Sequence, residues 1–142
     1  MKTKLDAAKA IKSLKHFIGP AQIKCLADAC YGEERQFFFD KLCALADLVA
    51  AAPKTYEQDG KGDQAVAFLH YFAGGQANWW ITEKDSDPDG AGQIQAFGRA
   101  DLFADGGELG YISIAEILEN GGELDLYYTP KTLAALDRKE VA

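Results

Sequence analysis

AVAFLHYFAGGQANWWITEKD, residues 65–85, decides the fold. In its first half Val66, Phe68, His70 and Phe72 alternate with Ala67, Leu69 and Tyr71, the period of a β-strand. Both sets are largely apolar, which predicts a central strand covered at least in part on both faces. Gly74-Gly75 supplies the backbone freedom of a hairpin turn. In the returning strand Asn78, Trp80 and Thr82 alternate with Trp79, Ile81 and Glu83. One Trp of the Trp79-Trp80 pair therefore enters the core while the other lies on the opposite face, as a candidate binding anchor. His70 reads as a sheet histidine, since nothing near it in sequence completes a catalytic dyad.

Upstream the pattern is helical. Leu5, Ala8, Ile11, Leu14 and Ile18 recur at helical spacing and predict a helix over 3–18, with Thr3 as its N-cap and Gly19-Pro20 as its end. Lys9, Lys12 and His16 share its other side. A second helix runs from Pro20 to about Tyr31, burying Ile23, Leu26, Ala27 and Cys30. The third, over 33–51, carries Phe37, Phe38, Phe39, Leu42, Cys43, Leu45, Ala46, Leu48 and Val49 so far around its axis that it needs more than one neighbour. Pro53 stops it. Residues 54–64, KTYEQDGKGDQ, form a polar connector; Gly60-Lys61-Gly62 lacks the spacing and Lys-Ser/Thr pair of a phosphate loop.

Downstream, 93–99 and 109–112 read as strands around a loop at 101–107. Ser113 and Glu116 form a capping-box pattern for a helix over 114–119, stopped by Asn120-Gly121-Gly122. Leu124, Leu126 and Tyr128 alternate with Glu123, Asp125 and Tyr127, predicting a strand over 123–128. Thr129-Pro130 would then open a last helix to about Arg138. The fold class is α+β: an N-terminal three-helix segment packed on an antiparallel sheet of about five strands, with two short helices in the second half. The reading is one domain over 1–142, made of a helical segment (1–53), a connector (54–64) and a β-rich segment (65–138).

A chain of 142 residues with 48% hydrophobic and 26% charged residues has ordinary globular composition, large enough for a core without metal or disulfide support. Its apolar runs are too short to span a membrane, and its Lys-rich start lacks the apolar core of a signal peptide, so the expected location is the cytoplasm. Cys25, Cys30 and Cys43 are odd in number and read as reduced, small apolar core residues; their spacing does not suit a zinc knuckle. The net charge of −7 hides an asymmetry: residues 1–24 hold six Lys against Asp6, a balance of +5, leaving −12 for the rest. An acidic bulk suits a partner with a basic surface better than it suits duplex nucleic acid.

Asp85, Asp87, Asp89 and Gly90 spell the first half of an EF-hand loop, but its twelfth position is Ala96 where a bidentate Glu is required. The stretch reads as a charged hairpin loop, and no metal or cofactor is expected.

WWITEKD (79–85), QAFGRADLF (95–103), GELGYISIAEIL (107–118) and ELDLYYTP (123–130) resemble, in order and content, the domain-of-unknown-function family DUF2958 of plasmid, phage and other mobile-element proteins. The resemblance covers about residues 65–136. It implies an accessory gene of a bacterial mobile element and transfers no catalytic residue.

Three functions follow. The first is a non-catalytic protein that binds a host nucleic-acid-handling or defence protein through an acidic surface. Such an inhibitor, acting as a DNA mimic, sets carboxylates where a basic groove expects phosphates. Its candidate residues are Trp79, Trp80, Asp85, Asp87, Asp89, Asp101, Asp105 and Glu108, the acids lying in two loops that could project together. The second is a nucleic-acid-binding accessory factor that uses Lys9, Lys12 and Lys15, with a Trp stacked on unpaired bases. The third is a small enzyme. The chain carries no nucleophile elbow, HExxH or nucleotide fingerprint, and it reads as not an enzyme.

Overall fold

The structure is a computed structural model that describes residues 1–86 and 92–139. Helix α1, Lys4–Ser13, begins with a full capping box: Thr3 Oγ1 accepts from the Asp6 amide and the Asp6 carboxylate accepts from the Thr3 amide. It ends five residues before the predicted Ile18, and the chain continues through turns that still bury Leu14, Phe17 and Ile18. Its buried stripe is Ala7, Ala10 and Leu14, whereas Leu5 is 65% exposed, so the helix is rotated from its predicted orientation. The small side chains of Ala7 and Ala10 let α1 lie close against α3.

Helix α2, Pro20–Ala29, has Pro20 in its first turn and buries Leu26; Cys30 follows it into the core. Cys25 is exposed, which corrects its reading as a core residue, because it sits about 100° around the helix from Leu26. Helix α3, Arg35–Ala51, buries Phe39, Leu42, Cys43, Leu45 and Val49. These residues share one core with α1, α2 and the sheet, as the wide apolar face predicts. Phe37 turns outward, edge-on to Phe38.

The sheet is antiparallel and five-stranded, in the order β5-β4-β3-β2-β6: β2 is Leu69–Ala73, β3 Ala77–Glu83, β4 Ala96–Asp101, β5 Glu108–Ile112 and β6 Glu123–Leu124. The β2–β3 hairpin closes at the Ala73–Ala77 pair, with Gly74 in the left-handed region at φ 59°. The predicted strand over 65–73 divides. Its first part, β1 (Val66–Ala67), pairs with β7 (Lys131–Thr132) in a separate two-stranded sheet.

Three further boundaries move. Gln93 is buried short of β4, and its carbonyl accepts from the Ile114 and Ala115 amides that open α4, Ile114–Glu119. The strand predicted over 123–128 stops at Leu124, because the Asp125 carboxylate accepts from the Tyr127 amide and turns the chain. Thr129-Pro130 does not open the last helix. Lys131–Thr132 first pairs with β1, and Thr132 Oγ1 then accepts from the Ala135 amide to start α5, Leu133–Lys139.

The sheet has two unequal faces. On one, Leu69, Tyr71, Ile81, Ala96, Ile112 and Leu124 are buried against α1 to α4, and Tyr71 donates to the Phe17 carbonyl at 2.6 Å. On the other, Trp80 packs with Ala65, Ala67, Leu133, Tyr128 and Leu136 in a smaller core built by β1, β7 and α5. The remainder of that face is only half covered. Among the described residues no helix is long and apolar enough to cross a membrane.

Candidate functional site

Strand β5 is an edge. It pairs with β4 from Ala96–Ile112 to Ala100–Glu108, and its other side meets no strand among the described residues. With the turn before it, it also concentrates apolar surface: in the turn Phe103 is 76% and Leu102 45% exposed, and in the strand Tyr111 is 59% and Leu109 49% exposed. Exposed apolar residues gathered in one place mark interaction surfaces more often than single ones do.

Three cavities surround this edge. One of about 400 Å³ lies in the β4–β5 turn, between Leu102, Phe103, Leu109, Asp105 and Glu108. A second, about 400 Å³, opens on the half-covered face between Tyr56, Asp59, Phe97, Leu109 and Leu133. The third, about 390 Å³, opens on the helix side between Trp79, Leu102, Ile117 and Glu116. Each cavity has at least one carboxylate in its wall, and among the described residues none has Lys, Arg or His.

The second cavity owes its shape to Glu83. This side chain is only 4% exposed, and its two oxygens accept from the Tyr56 and Gln58 amides, each at 2.7 Å. Gln58 in turn donates to the Val66 and Thr82 carbonyls. The connector over 54–64 is thereby tied to β3, with Tyr56 held at φ 77° and its hydroxyl against that of Tyr111. This hydrogen bond is the main reason the Tyr111 phenol is raised above its ordinary pKa. Glu83 reads in the sequence as an ordinary strand residue, and no local pattern marks it as the anchor of a loop.

A fourth cavity, about 190 Å³, lies over the other half of the open face, where His70 stacks on Trp80 at 5.1 Å and 13°. His70 Nδ1 lies 3.0 Å from Asp125 Oδ2, and Nε2 lies 2.7 Å from Asn78 Oδ1. The sheet thus brings a carboxylate to His70 from 55 positions away, a pairing that local sequence does not reveal. Both ring nitrogens are occupied by side-chain oxygens, and among the described residues the cavity wall contains no Ser, Thr or Cys. Arg99 in the same wall is held by Asp137 at 2.7 Å, and the Tyr128 hydroxyl donates to the Ala67 carbonyl. The geometry is that of a buttress for the outer core.

The two Trp residues lie on opposite faces, as alternation predicts. Trp79 joins the large core and Trp80 the smaller one, and both are half-buried. The outward Trp80 is therefore covered by β1, β7, α5 and His70.

The acids do not form one group. Strands β3 and β4 run antiparallel, so Asp85, after β3, and residues 102–107, after β4, project from opposite ends of the sheet. Asp85 accepts from the Gln95 amide and lies beside Lys84. Asp101 is nearly buried and accepts from the Asp105 and Gly106 amides, which makes it a brace of the turn. Asp105 and Glu108 are exposed beside β5. Asp87 and Asp89, and with them the calcium-loop pattern, lie outside the described residues.

Lys9, Lys12 and Lys15 are exposed on α1 and the turn after it, on the helix side of the sheet, whereas Trp80 is on the other side. Trp79, the other candidate for stacking, lies on the helix side but packs half-buried against the large core. Lys84 donates to the Val49 and Ala50 carbonyls at the end of α3, and burial, followed by the neighbouring Lys54, lowers its pKa. Burial raises the Cys30 and Cys43 thiols. Among the described residues no group of three or more His, Cys, Asp or Glu is placed to hold a metal ion.

No family model, no curated protein and no solved structure matches the chain.

Proposed function

We propose that this chain acts by stoichiometric binding, not by catalysis, and that it presents the acidic, apolar β5 side of its sheet to a protein with a basic surface. The observation that carries this reading is the makeup of the three cavities around β5: among the described residues each holds carboxylate and apolar side chains without a cation. Aromatic and aliphatic groups supply the burial energy of an interface, and a rim of one charge selects and steers the partner. The occupied nitrogens of His70 favour the same reading, since a general base needs one of them open to substrate. Asp105 and Glu108 are the acids that act here.

The resemblance to a mobile-element family suggests the biological setting. The partner is then a host or element-encoded protein that handles nucleic acid or defends the host, met in a bacterial cytoplasm. Carboxylates take the place of phosphates in its basic groove.

Affinity purification of the tagged chain from its native host, at low and at raised salt, tests the reading when followed by mass spectrometry. The expected result is salt-sensitive capture of a basic nuclease or defence subunit, lost when Asp105→Lys and Glu108→Lys are combined. Capture that ignores both salt and charge reversal would overturn it.

A further inference from the structure

The cavities around β5 adjoin the edge that no strand covers among the described residues, and the inference drawn from this rests on the binding reading above. We propose that the partner supplies an extended segment, rich in Lys or Arg and alternating with apolar side chains, which adds to the sheet as a strand beside β5.

Backbone geometry is the first argument. An edge strand carries a row of amide and carbonyl groups along its unpaired side, a template for another chain. Folded proteins usually guard such an edge with Lys, Pro or a bulge. Strand β5, Glu-Leu-Gly-Tyr-Ile, contains no Lys or Pro, its pairing with β4 runs without a register shift, and its one charge is the acid Glu108.

Side-chain geometry is the second. Successive residues of an added strand point to opposite faces of the sheet. On one face they meet the cavity between Tyr56, Phe97, Leu109 and Leu133, and on the other the cavity between Trp79 and Ile117. Both are mainly apolar, so both sets of alternating side chains find a pocket. Strand addition works in this way, with backbone pairing for affinity and alternate pockets for specificity.

Charge chooses the occupant. Asp59 lies in the wall of the cavity beside Tyr56, Glu116 in that of the cavity beside Ile117, and Asp105 and Glu108 in that of the cavity in the β4–β5 turn. Each of the three cavities thus offers a carboxylate to a cationic side chain. A second copy of this chain would bring Glu108 and a net charge of −7 against the same acids, which disfavours pairing of β5 with itself.

The test uses the full chain to select binders from a displayed library of random peptides. Enriched peptides are measured by calorimetry and by amide hydrogen exchange of residues 108–112. The expected result is enrichment of peptides that alternate apolar residues and carry Lys or Arg, with β5 amides protected on binding. N-methylation of alternate backbone amides should then weaken the peptide by about tenfold or more, since each lost backbone hydrogen bond counts near the tenfold scale. Equal binding of the methylated peptide with β5 unprotected, yet abolished by D105K/E108K, overturns strand addition and leaves the acidic surface standing. No enrichment over the D105K/E108K chain overturns both readings. A dimer of the chain with β5 amides protected in the absence of peptide assigns the edge to a second copy and overturns the proposal.

Discussion

Gly98 and Gly110 pair directly across β4 and β5, yet only one of them has room for a side chain. A Cβ on Gly98 would lie 1.9 Å from the Trp80 carbonyl oxygen and 3.0 Å from the Ile81 Cα, whereas a Cβ on Gly110 would meet nothing within 4 Å. Both close contacts are backbone atoms of β3 beside its register shift, so they cannot swing away as a flexible side chain would. Gly98→Ala should therefore cost about 3 kcal/mol or more, the upper end of overpacking penalties. Gly110→Ala should stay within about 0.5 kcal/mol, as surface changes usually do. Denaturant unfolding of the two variants checks the contrast, and equal effects would contradict the geometry.

Much of this architecture is legible in the chain. Alternation locates β2 and β3, the Gly74-Gly75 turn joins them, and the all-round apolar pattern of 33–51 anticipates a helix touching both helices and sheet. What escapes is decided at long range. Whether Val66–Ala67 continues β2 or pairs with Lys131–Thr132 is a choice between partners, and periodicity is the same for both. Asp125 ends a strand that alternation would prolong, because its carboxylate offers the backbone a competing hydrogen bond. The site is less legible than the fold. The exposed acids Asp105 and Glu108 are visible from their turn, but that Asp101 braces the turn while Asp85 lies at the opposite end depends on strand direction.

Glu83 should be among the most sensitive polar residues. It is buried, and it accepts from two connector amides, at Tyr56 and Gln58. Glu83→Ala leaves both donors without their acceptor and should cost about 2–3 kcal/mol, the range for hydrogen bonds to a charged group. Glu83→Gln keeps one acceptor oxygen and should cost less. Because the connector also carries Tyr56, both variants should broaden or shift the Tyr56 and Tyr111 ring signals in NMR spectra. Unchanged ring signals would mean that the loop is held by other contacts.

Alkaline pH should weaken the fold through buried phenols. Tyr71 is fully buried and its pKa is raised by burial, while burial pushes Tyr128 up to about 12. The unfolded chain gives up these protons near the ordinary value of 10. Above that pH the folded state holds more protons than the unfolded one, so stability falls as pH rises; below it the contribution is complete. Unfolding measured from pH 9 to about 12 should show the decline, and Tyr128→Phe should make it shallower. Tyr71→Phe should in addition cost about 1 kcal/mol at neutral pH by leaving the Phe17 carbonyl without its donor. A stability that stays flat through this range would exclude buried, protonated phenols.

Trp80 separates stability from binding. It stacks on His70 and packs against Leu133, Tyr128 and Leu136, so its indole holds the smaller core together on the face opposite the helices. Trp80→Ala should cost about 2 kcal/mol, below the full penalty of a completely buried Trp because it is only half-buried. The cavities around β5 do not include it in their walls. The folded fraction of the variant should therefore capture a partner as well as the parent chain does, whereas D105K/E108K should fold normally and lose capture. Chemical unfolding followed by salt-dependent binding on the same preparations distinguishes the two effects. Loss of binding by fully folded Trp80→Ala would move the interaction surface from the β5 edge to the face that carries His70 and Asp125.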